Sequence, residues 1–318
     1  MVPYARPMTR QHPTDLVLRP CGPELNMRTH LLDRPIVYRQ TLRVVRALPT
    51  PIAYGLARLI SALIFLFSRR DRRHVLHNLS VIFTNGPPPV GRRRLLWRFF
   101  QNYGIYVVDF FRLFAMSPER TRACARLYEG RHHLDAALAA GRGAVMVTAH
   151  LGHWEIGGLG LSAMGYHVNV VAVKHNTTFT ESLVNQLRRS HGIRIIEVEE
   201  SAFGVIELIK ALNRNEIVAV LGDRVFSDRS ETAIMFNRPV RLPVGPVILA
   251  MAARAPILPS FSVMEAPGRY RGIIEAPLPL RYGPDRQEAL RHNLQMIATV
   301  MERYVRRYPD QWYQVEPI

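Results

Sequence analysis

The chain has 318 residues and an apolar content of 48%, which excludes a disordered or fibrous protein and leaves room for one large domain or two small ones. Its formal net charge of +17 comes almost entirely from arginine, because Lys174 and Lys210 are the only lysines. The charge favours anionic partners, either a phospholipid surface or an acidic carrier protein, unless it only reflects a GC-rich genome; without a nucleic-acid-binding motif it predicts no nucleic-acid partner.

The N-terminal part of the chain is predicted to contain a tail followed by a helical region. Residues 1–35 are rich in proline and arginine without hydrophobic periodicity, which predicts a flexible tail, and they lack the apolar core and cleavage site of a secretory signal. Residues 36–125 are predicted to form a helical, membrane-associating region. The only cysteines, Cys21 and Cys124, have no spacing that pairs them, which suits a reducing compartment.

Residues 52–67 form the most apolar stretch of this helical region. As a helix they span about 24 Å, less than the roughly 30 Å hydrocarbon core of a bilayer, and Arg58 lies near the middle. A basic cluster follows at Arg69, Arg70, Arg72 and Arg73. The pattern predicts a helix that lies in the plane of an anionic membrane surface without spanning it. An ordinary core helix is the alternative.

Strands and helices alternate from residue 131 onward, which predicts an α/β domain over residues 126–318 with a mostly parallel central sheet flanked by helices. The predicted helices cover residues 131–140, 154–164, 179–191, 203–214, 246–254 and 285–307. The predicted strands cover residues 144–149, 168–173, 193–198, 216–221, 257–264 and 270–276. Ligands of such sheets bind at the carboxyl ends of the strands, so polar residues that follow a strand are candidates for a site.

His150 is the first such residue, since it follows the buried apolar strand predicted over residues 144–149. Glu155 comes five positions later, in the first turn of a predicted helix. A carboxylate there can accept a hydrogen bond from one imidazole nitrogen and leave the other free as a base. His153 raises an alternative, a zinc site formed with His150 and Glu155. Its spacing is not that of a zinc-binding helix and its ligand set is incomplete, so we expect neither a metal nor a cofactor.

The stretch AHLGHWE around His150, with Asn78, Leu79 and Phe83 upstream, resembles the region of the His-x4-Asp/Glu motif in glycerolipid acyltransferases. The similarity is closest to the lauroyl and myristoyl acyltransferases of lipid A biosynthesis, in the lysophospholipid acyltransferase-like superfamily. It covers roughly residues 42–312. The resemblance implies a glycerolipid acyltransferase-like α/β fold with N-terminal membrane-facing helices.

The resemblance also implies a mechanism. His150 would deprotonate a lipid hydroxyl, which then attacks a fatty-acyl thioester, while Glu155 orients the imidazole and stabilises the imidazolium. The donor substrate would be acyl carrier protein loaded with an acyl chain, or acyl-CoA, and no bound cofactor is implied. The acceptor would be a membrane lipid resembling a lipid A precursor. Such an enzyme is expected on the cytoplasmic face of the inner membrane.

Six further residues are implied to bind substrates: Lys174, Arg189, Asp223, Arg224, Arg238 and Arg241. The family usually has arginine at the first of these positions, so Lys174 is a departure, and Arg188 is an alternative to Arg189. Asp223 would arrange the basic residues or contact the acceptor, and the basic residues would bind phosphates of donor or acceptor. Near Asp223 the chain lacks the Pro-Glu-Gly sequence of glycerol-3-phosphate acyltransferases, which argues against that activity.

The C-terminal third carries three further expectations. Residues 225–237 are predicted to form a loop, residues 238–246 to open a helix through Pro246, and residues 308–312 to have a packing role. Two functional alternatives stay open: a lysophospholipid or glycolipid acyltransferase outside lipid A synthesis, and a non-catalytic protein that binds anionic membranes. A pocket beside an intact histidine–carboxylate pair favours an enzyme over a binding protein.

Overall fold

The computed structural model describes residues 35–124, 127–173, 179–198, 202–225 and 229–318. The tail predicted over residues 1–35 lies outside these ranges except for Pro35, and so does Lys174. Within them, the chain begins with five helices and continues as an α/β unit.

The described N-terminal helices begin at Pro35, and the first four of them pack together. They are α1 (Pro35–Ala47), α2 (Thr50–Phe67), α3 (Arg69–Ile82), α4 (Arg92–Leu113) and the short α5 (Pro118–Cys124). Within the described residues, α2 is the one helix that is long and apolar enough to cross a membrane, judged by length and composition alone. The predicted helical character of this region is therefore confirmed, whereas the in-plane placement of α2 stays a prediction.

Helix α2 has two different faces. Ala53, Ala57 and Ser61 are buried against α4, where Gly104 approaches so closely that an added Cβ would lie 2.2 Å from Ser61 Oγ. The other face exposes large apolar side chains at Ile52, Leu56, Leu59, Ile60, Leu63, Ile64, Leu66 and Phe67. Exposing a contiguous apolar surface of this size to water is unfavourable, so this face suits contact with lipid.

In the described part of the chain, seven strands form the central sheet, and helices cover both of its faces. The strands are β1 (Leu127–Glu129), β2 (Ala144–Thr148), β3 (Val168–Val173), β4 (Arg194–Val198), β5 (Ile217–Leu221), β8 (Ile257–Ala266) and β9 (Arg269–Ile274). The helices are α6 (Arg131–Ala139), α7 (Trp154–Ala163), α8 (Phe179–Ser190), α9 (Ala202–Asn213), α10 (Gly245–Ala253) and α11 (Arg286–Arg307). The order is β1-β9-β8-β2-β5-β3-β4, and every neighbouring pair is parallel except β8 with β9. The predicted α/β class is confirmed.

Strand β2 lies at the centre of the sheet, and its first four residues are apolar, as suits a strand with both faces covered. Val145 and Val147 belong to the core layer that α10 and α11 complete. Ala144 and Met146 belong to the opposite layer, together with side chains of α6 and α7. All four residues are at most 3% exposed, so the end of β2 is held rigidly in place.

A two-stranded hairpin, β6 (Ser230–Met235) and β7 (Arg238–Pro243), corrects the loop predicted in this region. The turn consists of Phe236 and Asn237, both with positive φ, at 53° and 60°. A phenylalanine is unusual there, since such turns favour asparagine, aspartate or glycine. The Phe236 side chain is buried and its ring lies 6.0 Å from that of Trp312, so tertiary packing decides the turn. Helix α10 begins at Gly245 with Pro246 in its first turn, which confirms the predicted helix opening.

Candidate active site

His150 and Asp223 meet at the carboxyl edge of the sheet. Strands β2 and β5 are parallel neighbours in a register that places Thr148 opposite Leu221, so the residues two positions further on also face each other. The backbone N–H of His150 donates to Asp223 Oδ2 at 2.9 Å, and His150 Nδ1 lies 2.7 Å from Asp223 Oδ1. The sheet register therefore gives the imidazole a carboxylate partner.

Gly152 keeps His150 at this edge while the chain turns into α7. It has a φ of 64°, and an added Cβ would lie 1.9 Å from the backbone oxygen of Ser262 in β8, so glycine is required there. The next residue, His153, donates its backbone N–H to that same Ser262 oxygen at 2.8 Å. Helix α7 then begins at Trp154, whose ring lies 4.9 Å from the imidazole of His150.

Asp223 is held as an ionised carboxylate. Burial by itself raises its pKa, but the charge and hydrogen bond of His150, the charge of Arg224 and the Nε1–H of Trp312 at 2.9 Å together lower the pKa to about 2. An ionised carboxylate only accepts hydrogen bonds, so the hydrogen between the two side chains belongs to His150 Nδ1. When the imidazole is neutral, Nε2 therefore carries the lone pair, and the side chain is 10% exposed. This is the protonation state of a general base.

The structure pairs Glu155 with Arg188 instead of the predicted His150. Arg188 Nε donates to Glu155 Oε2 at 3.0 Å and Nη2 donates to Oε1 at 2.5 Å, a two-point contact. No hydrogen bond joins Glu155 to His150 in the described part of the chain. The reason is geometric: His150 precedes α7 and faces β5, whereas Glu155 lies in the first turn of α7 and reaches toward α8. Arg188, not the exposed Arg189, therefore contacts this site.

The Glu155–Arg188 pair borders a cavity of about 100 Å³ between α7 and the sheet. Most of the lining is apolar, including Met146, Leu161 and Ile193. A carboxylate and a guanidinium in such surroundings offer both an acceptor and donors to hydroxyl groups of a ligand.

His153 has a different role from the predicted alternative of a zinc ligand. Its Nδ1 accepts the backbone N–H of Ile156 at 3.4 Å, so it caps α7, and its ring packs between Tyr106 and Tyr270 at 4.7 and 5.2 Å. Burial lowers its pKa to about 3. His150, His153 and Glu155 thus diverge, and among the described residues no three His, Cys, Asp or Glu side chains lie close enough to hold a metal ion.

Replacing His153 with asparagine is expected to make the fold less sensitive to acid. The unfolded chain gains a proton at this residue below pH 6.5, whereas the folded pKa is about 3. Stability from the neutral ring is therefore complete above pH 6.5 and is lost as the pH falls toward 3, by about 2 kcal/mol between pH 7 and pH 5. Asparagine keeps a cap acceptor and does not titrate.

Denaturant unfolding at the two pH values measures this difference. His132, which is exposed on α6, supplies the control, since His132→Asn should leave the pH dependence unchanged. The same loss of stability in wild type and His153→Asn would contradict the prediction.

The remaining predicted binding residues lie in different settings. Arg224 follows Asp223 and donates from Nη2 to the backbone oxygen of Tyr313 at 2.7 Å. Arg238 and Arg241 are exposed on β7 and form no ion pair within the described residues. Their contact with substrate phosphates stays a prediction.

Comparison with known proteins identifies the family of this chain. Residues 28–317 match the family model described as bacterial lipid A biosynthesis acyltransferase. Two phosphatidylinositol mannoside acyltransferases of Mycobacterium tuberculosis, strains CDC 1551 / Oshkosh and H37Rv, are 31% and 30% identical over 186 residues, 57% of this chain and 58% of each relative. The match thus spans less than two thirds of these relatives. A phosphatidylinositol mannoside acyltransferase of Mycolicibacterium smegmatis is 23% identical over 88% of this chain and 89% of its own length. Because the family model covers most of the sequence, the chain belongs to the bacterial lipid A biosynthesis acyltransferase family.

Proposed function

We propose that the protein is an O-acyltransferase that moves a fatty acyl chain from a thioester to a hydroxyl of a membrane glycolipid. The observation that carries this proposal is the 2.7 Å contact between His150 Nδ1 and the ionised Asp223, which leaves Nε2 as a base at the carboxyl edge of the sheet. Family membership supplies the reaction class.

The proposed reaction needs one base and no covalent enzyme intermediate. His150 Nε2 takes the proton of the acceptor hydroxyl while the hydroxyl oxygen attacks the thioester carbonyl. The negative charge of Asp223 stabilises the imidazolium that forms. Collapse of the tetrahedral intermediate breaks the carbon–sulfur bond, and the departing thiolate receives the proton from Nε2. The products are an ester and a free thiol, on acyl carrier protein or coenzyme A.

The proposed acceptor is a sugar hydroxyl of a mannosylated phosphoinositide. This choice follows the names of the relatives, which are phosphatidylinositol mannoside acyltransferases, rather than the lipid A in the family's description. The Glu155–Arg188 pair supports it, because a buried carboxylate beside a guanidinium suits hydroxyl-rich headgroups. A lipid A precursor is the second candidate, favoured by the family description alone.

A non-catalytic membrane-binding protein is a poorer explanation of the same structure. Keeping the Asp223 carboxylate ionised when it is 2% exposed costs desolvation energy that a surface-binding module has no reason to spend. The exposed apolar face of α2 and the arginines at the start of α3 instead fit an enzyme that works at an anionic membrane. Because both candidate thioester donors are cytoplasmic, we place this enzyme on the cytoplasmic face of the inner membrane.

The test is acyl transfer by the purified protein in mixed vesicles. Labelled acyl carrier protein and labelled acyl-CoA serve as alternative donors, with a phosphatidylinositol mannoside, a lysophospholipid or a lipid A precursor as acceptor. We expect an alkali-labile, labelled ester on the mannoside with at least one donor, and little on the other two lipids. Preferred transfer to the lipid A precursor would overturn the acceptor assignment, and no transfer in any combination would overturn the activity.

A further inference from the structure

Two features of the chain have no role in the reaction described above. One is the side chain of Asn78 in α3, and the other is the C-terminal segment of residues 311–318, here called the C-terminal strap. We infer that the C-terminal strap positions the Asp223 carboxylate for His150, that Trp312 is the positioning residue, and that Asn78 holds the strap in place. This inference rests on the proposed function, because it assigns a role relative to the proposed base.

The strap runs directly alongside the segment that carries His150. The backbone N–H of Tyr313 donates to the backbone oxygen of His150 at 2.9 Å, and the N–H of Gly152 donates to the oxygen of Gln311 at 2.8 Å. Between these bonds, Leu151 and Trp312 form an antiparallel bridge. The strap thus fixes the backbone on both sides of Leu151, and with it the orientation of the His150 side chain.

Trp312 reaches from the strap to the catalytic carboxylate. Its Nε1 lies 2.9 Å from Asp223 Oδ2, the oxygen that also accepts the backbone N–H of His150. With Oδ2 held by two donors, Oδ1 is left to face His150 Nδ1. Indole is a donor only, so it orients the carboxylate without competing for the proton of the imidazole. The Trp312 ring is buried, which keeps this bond away from water.

Asn78 attaches the strap to the N-terminal helices. Its buried amide donates from Nδ2 to the backbone oxygens of Gln314 and Glu316, both at 2.9 Å, and its Oδ1 accepts the N–H of Ile318 at 3.2 Å. All three bonds of this side chain go to the strap, from a residue more than 230 positions earlier in the sequence. A continuous set of contacts therefore links α3, through the strap and Trp312, to Asp223 and His150.

If the C-terminal strap only packs against the fold, a variant of Trp312 should behave differently from one in which the strap positions Asp223. Trp312→Phe keeps most of the buried ring and removes the N–H, so it separates the two roles. We expect kcat to fall about 10- to 100-fold, the range for loss of a hydrogen bond to a buried charge, with KM for donor and acceptor changed less than about twofold. Trp97→Phe is the matched control: Trp97 is half-exposed on α4 and its ring packs on Phe65 of α2, so its replacement should leave kcat unchanged.

Asn78→Ala gives a second route that does not touch Trp312. If Asn78 acts through Trp312, its removal should lower kcat in the wild-type background but hardly at all in the Trp312→Phe background. Independent packing effects would instead multiply. Should Trp312→Phe fail to fold, a kcat for Asn78→Ala alone within twofold of wild type overturns the inference.

The strongly downfield proton NMR resonance of a carboxylate-bound imidazole reports the geometry without catalysis. We expect it in wild type, its absence in Asp223→Asn, and its shift or loss in Trp312→Phe. If Trp312→Phe has the kcat and the resonance of wild type, the positioning role is wrong. If a His150 variant is inactive in the same assay, the proposed function still stands. An active His150 variant would overturn the proposed function, while the resonance would still decide whether Trp312 orients Asp223.

Discussion

Replacing His150 with glutamine is expected to lower kcat by about 10²–10⁴-fold, the usual contribution of a positioned general base. The glutamine amide can still donate a hydrogen bond to Asp223, so the buried carboxylate keeps a partner, but it has no basic nitrogen to take the proton of the acceptor hydroxyl. Steady-state transfer with both substrates saturating measures the effect.

His150→Ala provides the comparison in which the partner of Asp223 is also removed. It should be as inactive as His150→Gln and less stable, because it leaves the buried charge of Asp223 with fewer donors. Unchanged binding of the acyl donor in His150→Gln would place the loss in the chemical step. Turnover of this variant within tenfold of wild type would show that another group is the base.

The location of His150 could be predicted from the sequence because it depends on a strong local pattern. The apolar run before it is buried on both faces, and the helix after it begins where the sequence indicates, at Trp154. Most predicted strands and helices from residue 131 onward lie within a few positions of the observed ones for the same reason. Hydrophobic periodicity and the glycines between strands and helices are local properties of the chain.

The partner of His150 could not be predicted in this way. Asp223 is 73 positions away and reaches His150 only because β5 lies beside β2 in a particular register. The spacing between His150 and Glu155 carries no information about strand order. A signal was present, since Asp223 also follows a predicted strand and so belongs to the same edge of the sheet, but it indicated proximity to the site and not a bond to the imidazole.

The same limit explains two other differences. Phe236 occupies a turn position that favours asparagine or glycine, because its ring is buried near Trp312, and that contact cannot be read from the local sequence. The sequence predicts a packing role for Trp312, which its burial supports, but its bond to Asp223 depends on the strap lying next to the segment that carries His150. Long-range contacts therefore decide the chemistry of this site, whereas local patterns decide its scaffold.

Asp223→Asn is expected to reduce kcat by about 10³–10⁴-fold with little change in KM. The amide carries no charge to stabilise the imidazolium, and its NH₂ group can donate to His150 Nδ1 and drive the imidazole into the tautomer whose Nε2 is protonated, as occurs when the aspartate of a serine-protease triad is replaced by asparagine. The amide oxygen can still accept the Nε1–H of Trp312, so the contact with the strap is kept. Measuring kcat and KM for both substrates separates this effect from weakened binding.

Glu155→Gln supplies the decisive comparison, because Glu155 occupies the family's motif position and yet contacts Arg188 in the structure. This change keeps the shape of the side chain and removes the charge that pairs with the guanidinium. We therefore expect KM for the acceptor to rise and kcat to stay within about tenfold of wild type, since His150 and Asp223 are untouched. If Glu155→Gln instead lowers kcat as far as Asp223→Asn does, with KM unchanged, then Glu155 supports the imidazole during turnover, and the assignment of that role to Asp223 alone is wrong.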